Sequence, residues 1–425
     1  MPGVGGRGAE SAGRGGAGGG GVEGGSVGTG PGVAGSGGAM AATGGVGGGG
    51  GSGFGGGGGS EAGAGGALDA GPGDDLGTPA PIDSAGNGGA GGGADGGGLD
   101  LSPDNHVWPG SDKAATVDNA GVFGTNVSGL SYQPAAGGAP AVIWAVQNSP
   151  SKIWRLLWNG TVWAPDAGNG WKTGKTLRYP GGSGSPDSEG IAKAEWSDGA
   201  FYISTERDND VGDKSRPGVL RVDTTGAAAE LVATNEWNLT ADLPAVDPNA
   251  GLEAITFVPD AALTAGGFVD EAAHAAYNPA SYPNHGTGLF LVGLEGGGTV
   301  YGYALNHADN TFKRVATFAS GQPGIMDLAF DRDTGNLWGY CDNTCGNKAT
   351  IFRIDAGASS PTKGHFRIAH VFDKPAGLPN SNFEGIAFAP QAECMGGQRS
   401  FFWSDDDQTN SHVLWHGSIN CGPIF

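Results

Sequence analysis

Basic side chains are scarce in this chain. Over 425 residues, 22 Lys and Arg stand against 43 Asp and Glu, a formal net charge of −21. A nucleic-acid binder carries a basic footprint, so the balance argues against that class and points to cations or neutral ligands. No apolar run approaches the ~20 residues that a membrane-spanning helix needs. Residues 1–100 contain no Trp, Tyr or Cys and a single Phe, Phe54. Such a segment cannot bury enough apolar surface to offset its chain entropy, and disorder is expected for it. GxSxG, HExxH and P-loop patterns are absent from residues 101–425; the one GxSxG match, Gly24–Gly28, falls in the Gly-rich block, where glycine abundance produces it by composition. Any hydrolysis would therefore have to be assisted by metal or carboxylate.

Glycine is what the first block has in abundance, with 47 of the 88 Gly in residues 1–100. Runs such as Gly47–Gly51 break the strict three-residue period of collagen, and the Gly and Pro content excludes a coiled coil. The expected organisation is a disordered, Gly-rich, low-complexity tether at 1–100, followed by a domain at 101–425 long enough to bury most of its surface. Nine acids and two bases give the tether −7, leaving −14 on the domain. Met1–Arg7 lacks the apolar core of a signal peptide, so either the protein stays inside the cell or its true start lies upstream. Gly-rich tracts of this kind resemble the flexible tethers of lipidated bacterial surface proteins. An extracellular, cell-surface or periplasmic location is the expectation, with an export segment missing from this sequence. The four cysteines lack the spacing of a zinc site. Two disulfides, Cys341–Cys345 and Cys394–Cys421, are the simplest of three pairings and would imply an oxidising compartment. Four buried free thiols are the alternative.

From residue 101 the chain reads as all-β, with short aromatic and β-branched runs between Gly, Asp and Asn turns. One pattern recurs at about 60 to 73 residues: SGLSY (128–132), SEGIA (188–192), LEAITF (252–257), IMDLAF (325–330) and FEGIAF (383–388). Each is followed by a second strand ending in a polar residue and then a third. A fourth follows in four repeats: 175–180, 228–233, 312–318 and 365–372. The fifth repeat lacks one, and Ala114–Phe123 is available to supply it. Five four-stranded units closed by the N-terminal strand describe a β-propeller, with six blades as the alternative. A monomer is expected. An insertion at Pro259–Gly288 includes an Ala-rich piece, Asp270–Ala276, that reads as a short helix.

In a propeller, the start of each inner strand and the end of each second strand open on the same face. Glu189, Glu253 and Glu384 thus occupy one equivalent position at the channel mouth, with Ser128 and Met326 in the other two repeats and Asp327 beside Met326. The second-strand ends add Gln147, Glu206, Glu295, Asp342 and Asp405. Crowded carboxylates must hold protons or a cation. Ca2+ accepts six to eight oxygen ligands with flexible geometry and suits such a ring. Glu189, Glu253, Glu384, Asp327, Asp342 and Asp405 are the candidate metal ligands, and Glu206 and Glu295 the candidate general bases. The inner glutamates have an equally weighted structural reading, as acceptors for backbone N–H groups of the next blade. Asp208-x-Asp210-x-Gly212-Asp213 looks like part of a Ca2+ loop but lacks the distal Glu. Asp405–Asp407 and the flanking His412 and His416 belong near the same rim. Trp144, Trp338 and Trp403 are either sugar platforms or blade core.

The segments SEGIAKAEWSDGAFYISTERD, GLEAITFVPD with GLFLVGLE, and NFEGIAFAP with FFWSDDD resemble the phytase-like ("esterase-like activity of phytase") propeller family. They are also similar to the SdiA-regulated group of bacterial propellers. The resemblance covers about residues 120–421. It implies an exported bacterial propeller with metal-dependent hydrolysis of esters or phosphoesters. The Lys and Arg residues (Lys152, Arg155, Lys193, Arg207, Lys214, Arg216) are scattered rather than clustered, which disfavours phytate as substrate. The alternative is a non-catalytic propeller that binds a small molecule or a surface partner.

Overall fold

The computed structural model describes residues 105–212 and 214–424, so the expected tether at 1–100 lies outside the described residues, as does Asp213. Five antiparallel sheets follow one another along the chain. The first blade uses strands Val127–Gln133, Val142–Gln147, Lys152–Trp158 and Lys175–Arg178. The second uses Pro186–Ala192, Ala200–Asp208, Ser215–Asp223 and Asn235–Asn238. The third uses Leu252–Pro259, Gly288–Leu294, Thr299–Leu305 and Phe312–Ala319. The fourth uses Asp327–Phe330, Leu337–Tyr340, Ala349–Ile354 and Phe366–Phe372. The fifth uses Phe383–Phe388, Gln398–Asp405 and Leu414–Asn420, and is completed by Ala115–Thr116. Each inner strand touches the inner strand of the next blade, and Phe383–Phe388 returns to Val127–Gln133. The protein is a five-bladed propeller.

The burial pattern follows from the ring. A second strand lies between two neighbouring blades, so both its faces are covered and it reads as a continuous apolar run. Val142–Gln147 and Gly288–Leu294 are buried at every position. The outermost strand Phe312–Ala319 instead buries only Val315 and Ala316 and leaves Lys313, Thr317 and Ala319 exposed. The apolar side chains form five clusters, and each spans one seam between adjacent blades. Trp144, Trp338 and Trp403 belong to these clusters and are blade core; Trp144 packs on Phe201 at 4.6 Å.

Closure comes from the first described residues. Asn105–His106 adds a parallel strand outside Phe366–Phe372, and Ala115–Thr116 pairs antiparallel with Trp415–His416. Between them Trp108 inserts against Phe401 and Trp403, at 5.1 and 5.4 Å. Cys341–Cys345 and Cys394–Cys421 are both disulfides, the simplest pairing, which suggests an oxidising environment.

Two local expectations are corrected. The fourth strand of the second blade is Asn235–Asn238, not 228–233. Glu230–Val232 instead crosses to pair parallel with Thr176–Arg178 of the first blade, where Leu231 is buried in the seam between the two blades. The insertion after the third inner strand carries its helix at Asp260–Ala265. Asp270–Ala276 turns back on itself as a two-residue hairpin, and Asp270 accepts the N–H groups of Ala272 and Ala273.

Adjacent inner strands approach closely where the repeat carries Gly. A Cβ on Gly190 would lie 2.6 Å from Ser204 Oγ and 2.8 Å from the carbonyl oxygen of Glu253. At Gly385 it would collide with Ser404 Oγ and the carbonyl oxygen of Ser128. These serines fill the gap: Ser204 Oγ accepts from Gly190 N–H and donates to the Glu253 carbonyl, at 2.8 and 2.9 Å. Ser404 Oγ donates to the Ser128 carbonyl in the same way. Gly190→Ala is expected to destabilise the protein by about 1–3 kcal/mol through overpacking. Denaturant unfolding of the variant checks this, and an unchanged midpoint would show that the strands have room to part.

Candidate metal centre at the channel mouth

The inner strands that carry glutamate are irregular at the glutamate. Pairing with the second strand slips between Ser188 and Ile191, between Leu252 and Ala254, and between Phe383 and Gly385. A bulge of this kind re-aims a side chain. Here it turns Glu189, Glu253 and Glu384 towards one another, so that one carboxylate oxygen of each lies within 4.8 Å of the others. Asp187, two residues before Glu189 in the same strand, makes a second such group with Glu189 and Glu206. Glu189 is common to both.

These residues line a cavity of about 370 Å³ at the mouth. Its walls carry seven carboxylates (Asp187, Glu189, Glu206, Glu253, Glu295, Glu384 and Asp406), five asparagines and one cation, Arg207. Arg207 is already engaged: its Nε lies 2.6 Å from Asp187, and its Nη1 donates to the Pro248 carbonyl and to Asn249 Oδ1. Met326 contributes the one apolar side chain of the lining.

Burial drives the electrostatics, and the mutual repulsion of carboxylates adds to it. Glu189, Glu253 and Glu384 are all held well above the usual carboxylate range, first by desolvation. For Glu189 the neighbours Asp187 and Glu206 push further; for Glu253 these are Glu189 and Glu206. Glu206 is pushed up to about 8 by burial and by Asp187, against the opposing pull of the Gly251 N–H and Arg207. Asp406 is raised to about 6, by burial and then by Asp407. Burial also raises Glu295 and Asp187.

Glu253 carries the clearest sign of an unmet partner. It is 7 % exposed, and no hydrogen bond from a described residue reaches its carboxylate. Asp406 Oδ1 and Asn148 Oδ1, also in the lining, are buried without a donor. Hard oxygen donors, clustered, desolvated and short of positive partners, could hold a metal cation.

The structure thus brings Glu189, Glu253, Glu384, Glu206 and Glu295 to one cavity. Asp327, Asp342 and Asp405 do not line it, because each carboxylate is turned into the protein. Asp327 accepts the N–H groups of Ile386 and Leu328, at 2.7 and 2.8 Å, and so takes the structural role considered for the glutamates. Asp342 caps the turn Asn343–Cys345 through the N–H and hydroxyl of Thr344. Asp405 accepts from Ser381 Oγ and from the Thr409 N–H. Of the Asp triplet it is Asp406 that faces the mouth. Asp208 is bound to the N–H groups of Ser185 and Asp210, away from the cavity. His412 contacts Asp118 and His416 contacts Ser400. Asp187 was missed by sequence reasoning, though its two-residue offset from Glu189 placed it on the same strand face. The asparagines were missed because they sit in loops and read as turn residues.

The sequence matches a family model, Phytase-like, described as esterase-like activity of phytase, over residues 125–408, a span that includes the whole mouth. No curated protein matches it. Among solved structures, a functionally unknown protein from Desulfotomaculum acetoxidans is 10% identical, with a TM-score of 0.31. The alignment covers 64% of this chain and 64% of that one. A putative oxidoreductase (glucose dehydrogenase) from Thermus thermophilus is 11% identical, with a TM-score of 0.37, over 72% of this chain and 99% of that one. Likenesses this slight say nothing about activity. The family match is of another order, covering all five inner strands, and the chain belongs to the phytase-like family.

Proposed function

We propose that the mouth holds Ca2+ or a similar divalent cation and that the loaded site hydrolyses an ester. The observation that carries this reading is Glu253, a buried carboxylate without a hydrogen-bond partner beside two more. Glu189, Glu253 and Glu384 are the ligands. A bound cation would polarise the scissile carbonyl and lower the pKa of a coordinated water. Glu206 is the general base, held in place by the Gly251 N–H at 3.0 Å. Its proton affinity near neutral pH suits the role once neighbouring charge is neutralised. Glu295, also in the lining, is the second candidate base. The Gly-rich segment 1–100 would serve as a tether for the 101–425 domain at an extracellular or cell-surface location, in keeping with the disulfides. A mouth that binds cation and ligand without turnover is the second reading, favoured by the lack of a motif-bound nucleophile in residues 101–425.

Metal analysis of the full-length protein should find Ca2+, and chelation should lower its melting temperature. At a free Ca2+ of a hundred times Kd the stabilisation is about 2.7 kcal/mol. A melt unmoved by chelator, with no metal bound, would sink the cation reading.

The pH dependence has a defined sign. A glutamate that titrates near 4.5 unfolded and near 8 folded, as for Glu206, keeps more protons in the native state. Stability in chelator is then greatest below pH 4.5 and falls as pH rises towards 8. Added Ca2+ should remove this fall, because the cation replaces the protons. Thermal melts at pH 5 and pH 8, with chelator and with Ca2+, read the effect; a metal-free protein that gains stability over that interval contradicts it.

Glu253→Gln keeps the shape and removes one charge. We expect a higher metal-free melting temperature at pH 8, at least tenfold weaker Ca2+ binding, and at least tenfold slower hydrolysis of carboxyl esters. Full activity in this variant would make the ring structural.

A further inference from the structure

The inner strands run on past the mouth, and further along them lies a second cavity, of about 100 Å³. Each blade contributes the same three-residue step to it, at 130–132, 191–193, 255–257, 328–330 and 386–388. The first position of the step is Leu or Ile in every blade, and the second is Ser, Ala or Thr. The third is aromatic except at Lys193. Small side chains at the middle position leave space between the strands, and their aliphatic and aromatic neighbours make the wall apolar. In a chain with 43 acids and 22 bases, this lining holds two cations, Lys193 and Arg332, and no carboxylate.

The two cations differ in what they have left to offer. The Lys193 ammonium donates to Asp198 Oδ1 and to the carbonyls of Asp198 and Ala200, at 2.8, 2.6 and 2.7 Å, which uses all its N–H groups. Arg332 stands in the turn after the fourth inner strand, exposed at the rim. Its guanidinium lies 5.5 Å from the centre of the Phe257 ring, and Nη2 donates to the carbonyls of Lys193 and Ala194, at 2.9 and 2.6 Å. A side chain of the fourth blade is thus fixed on the second and third. No described residue accepts from its Nε or Nη1, and no described carboxylate lies within 4 Å of it. Partial burial lowers its pKa, with Glu195 opposing, so an anion brought against it would support the charge. A positioned guanidinium at the edge of an apolar wall is complementary to a carboxylate on a hydrocarbon body. The cavity is smaller than the ~150 Å³ that encloses benzene, so that body is only a few carbons long.

We propose that this second cavity of the channel binds a short-chain carboxylate, its hydrocarbon end against the inner-strand side chains and its oxygens on the free N–H groups of Arg332. The site needs no cation at the mouth.

The test is calorimetric titration of the full-length protein with butyrate, butyramide and butylamine, which share one size and carry negative, neutral and positive heads. Butyrate should bind about tenfold more tightly than butyramide, the worth of a charged hydrogen bond. Arg332→Gln should bring butyrate down to the level of butyramide. Butyramide binding itself should not change, which shows that the cavity is intact. Arg332→Lys, which keeps the charge, should bind butyrate more tightly than Arg332→Gln does. Chelator should leave butyrate binding as it was. Butyramide or butylamine binding as tightly as butyrate overturns the proposal, as does butyrate binding that survives Arg332→Gln undiminished or is absent at millimolar concentration. Loss of butyrate binding in chelator also overturns it, because the receptor would then be a cation at the mouth. None of these results bears on whether the mouth holds Ca2+, except the last, which would support that reading.

Discussion

Everything at the mouth depends on how closely the inner strands pack. Around a ring of five blades the first strands meet near the axis, and at Gly190 and Gly385 the neighbouring backbones come within the space a methyl group would need. Ser204 and Ser404 bridge the gap with hydroxyls that bond across the seam. The same crowding accompanies the slip in register one step earlier, and the slip points the preceding glutamate inward. Close approach, bulge and glutamate coincide at Glu189 and Glu384, while at Glu253 the bulge stands with Ala254 in the place of glycine.

The resulting cluster has an energetic consequence. Glu189 and Glu253, both buried, and the half-buried Glu384 hold carboxylates within 4.8 Å and repel one another in a medium that solvates them poorly. A fold does not keep such a group without compensation from protons or cations. Among the described residues the compensation offered by side chains is small, because Arg207 serves Asp187 and Glu206. Elsewhere in the propeller buried carboxylates find partners of their own. The buried Arg399–Asp331 pair joins the fourth and fifth blades, and Asp327 ties the fourth inner strand to the fifth through Ile386. What sets the cavity apart is the crowding of carboxylates around a single guanidinium.

The blade plan was legible in the sequence because each blade reuses one template, and a repeat is visible even where its single strands are ambiguous. The equivalence of Glu189, Glu253 and Glu384 followed from the same repeat. Legibility failed where one blade borrows from another or where a turn decides direction. Glu230–Val232 reads as a good strand and is one, but it pairs with the first blade, while the polar Asn235–Asn238 holds the second blade's edge through the buried Trp237. Three adjacent aspartates at 405–407 cannot be ranked by composition. The turn that follows them draws Asp405 onto Ser381 and Thr409 and leaves Asp406 facing the cavity. At Asp342 a helical cap took a carboxylate that the repeat assigned to the rim.

The closure at Ala115–Thr116 bears on the order in which the protein is made. This strand is synthesised well before its partner, Leu414–Asn420, because the other four blades and most of the fifth lie between them in the chain. Until then the fifth blade does not exist, and the seams that cover the first and fourth blades stay open to solvent. Pairing across such a sequence distance is slow, because the whole intervening loop must be closed before the contact is gained. Until Leu414–Asn420 has been made, the nascent chain is an incomplete ring with exposed aromatic edges, and that one strand converts a set of half-covered sheets into one cooperative structure.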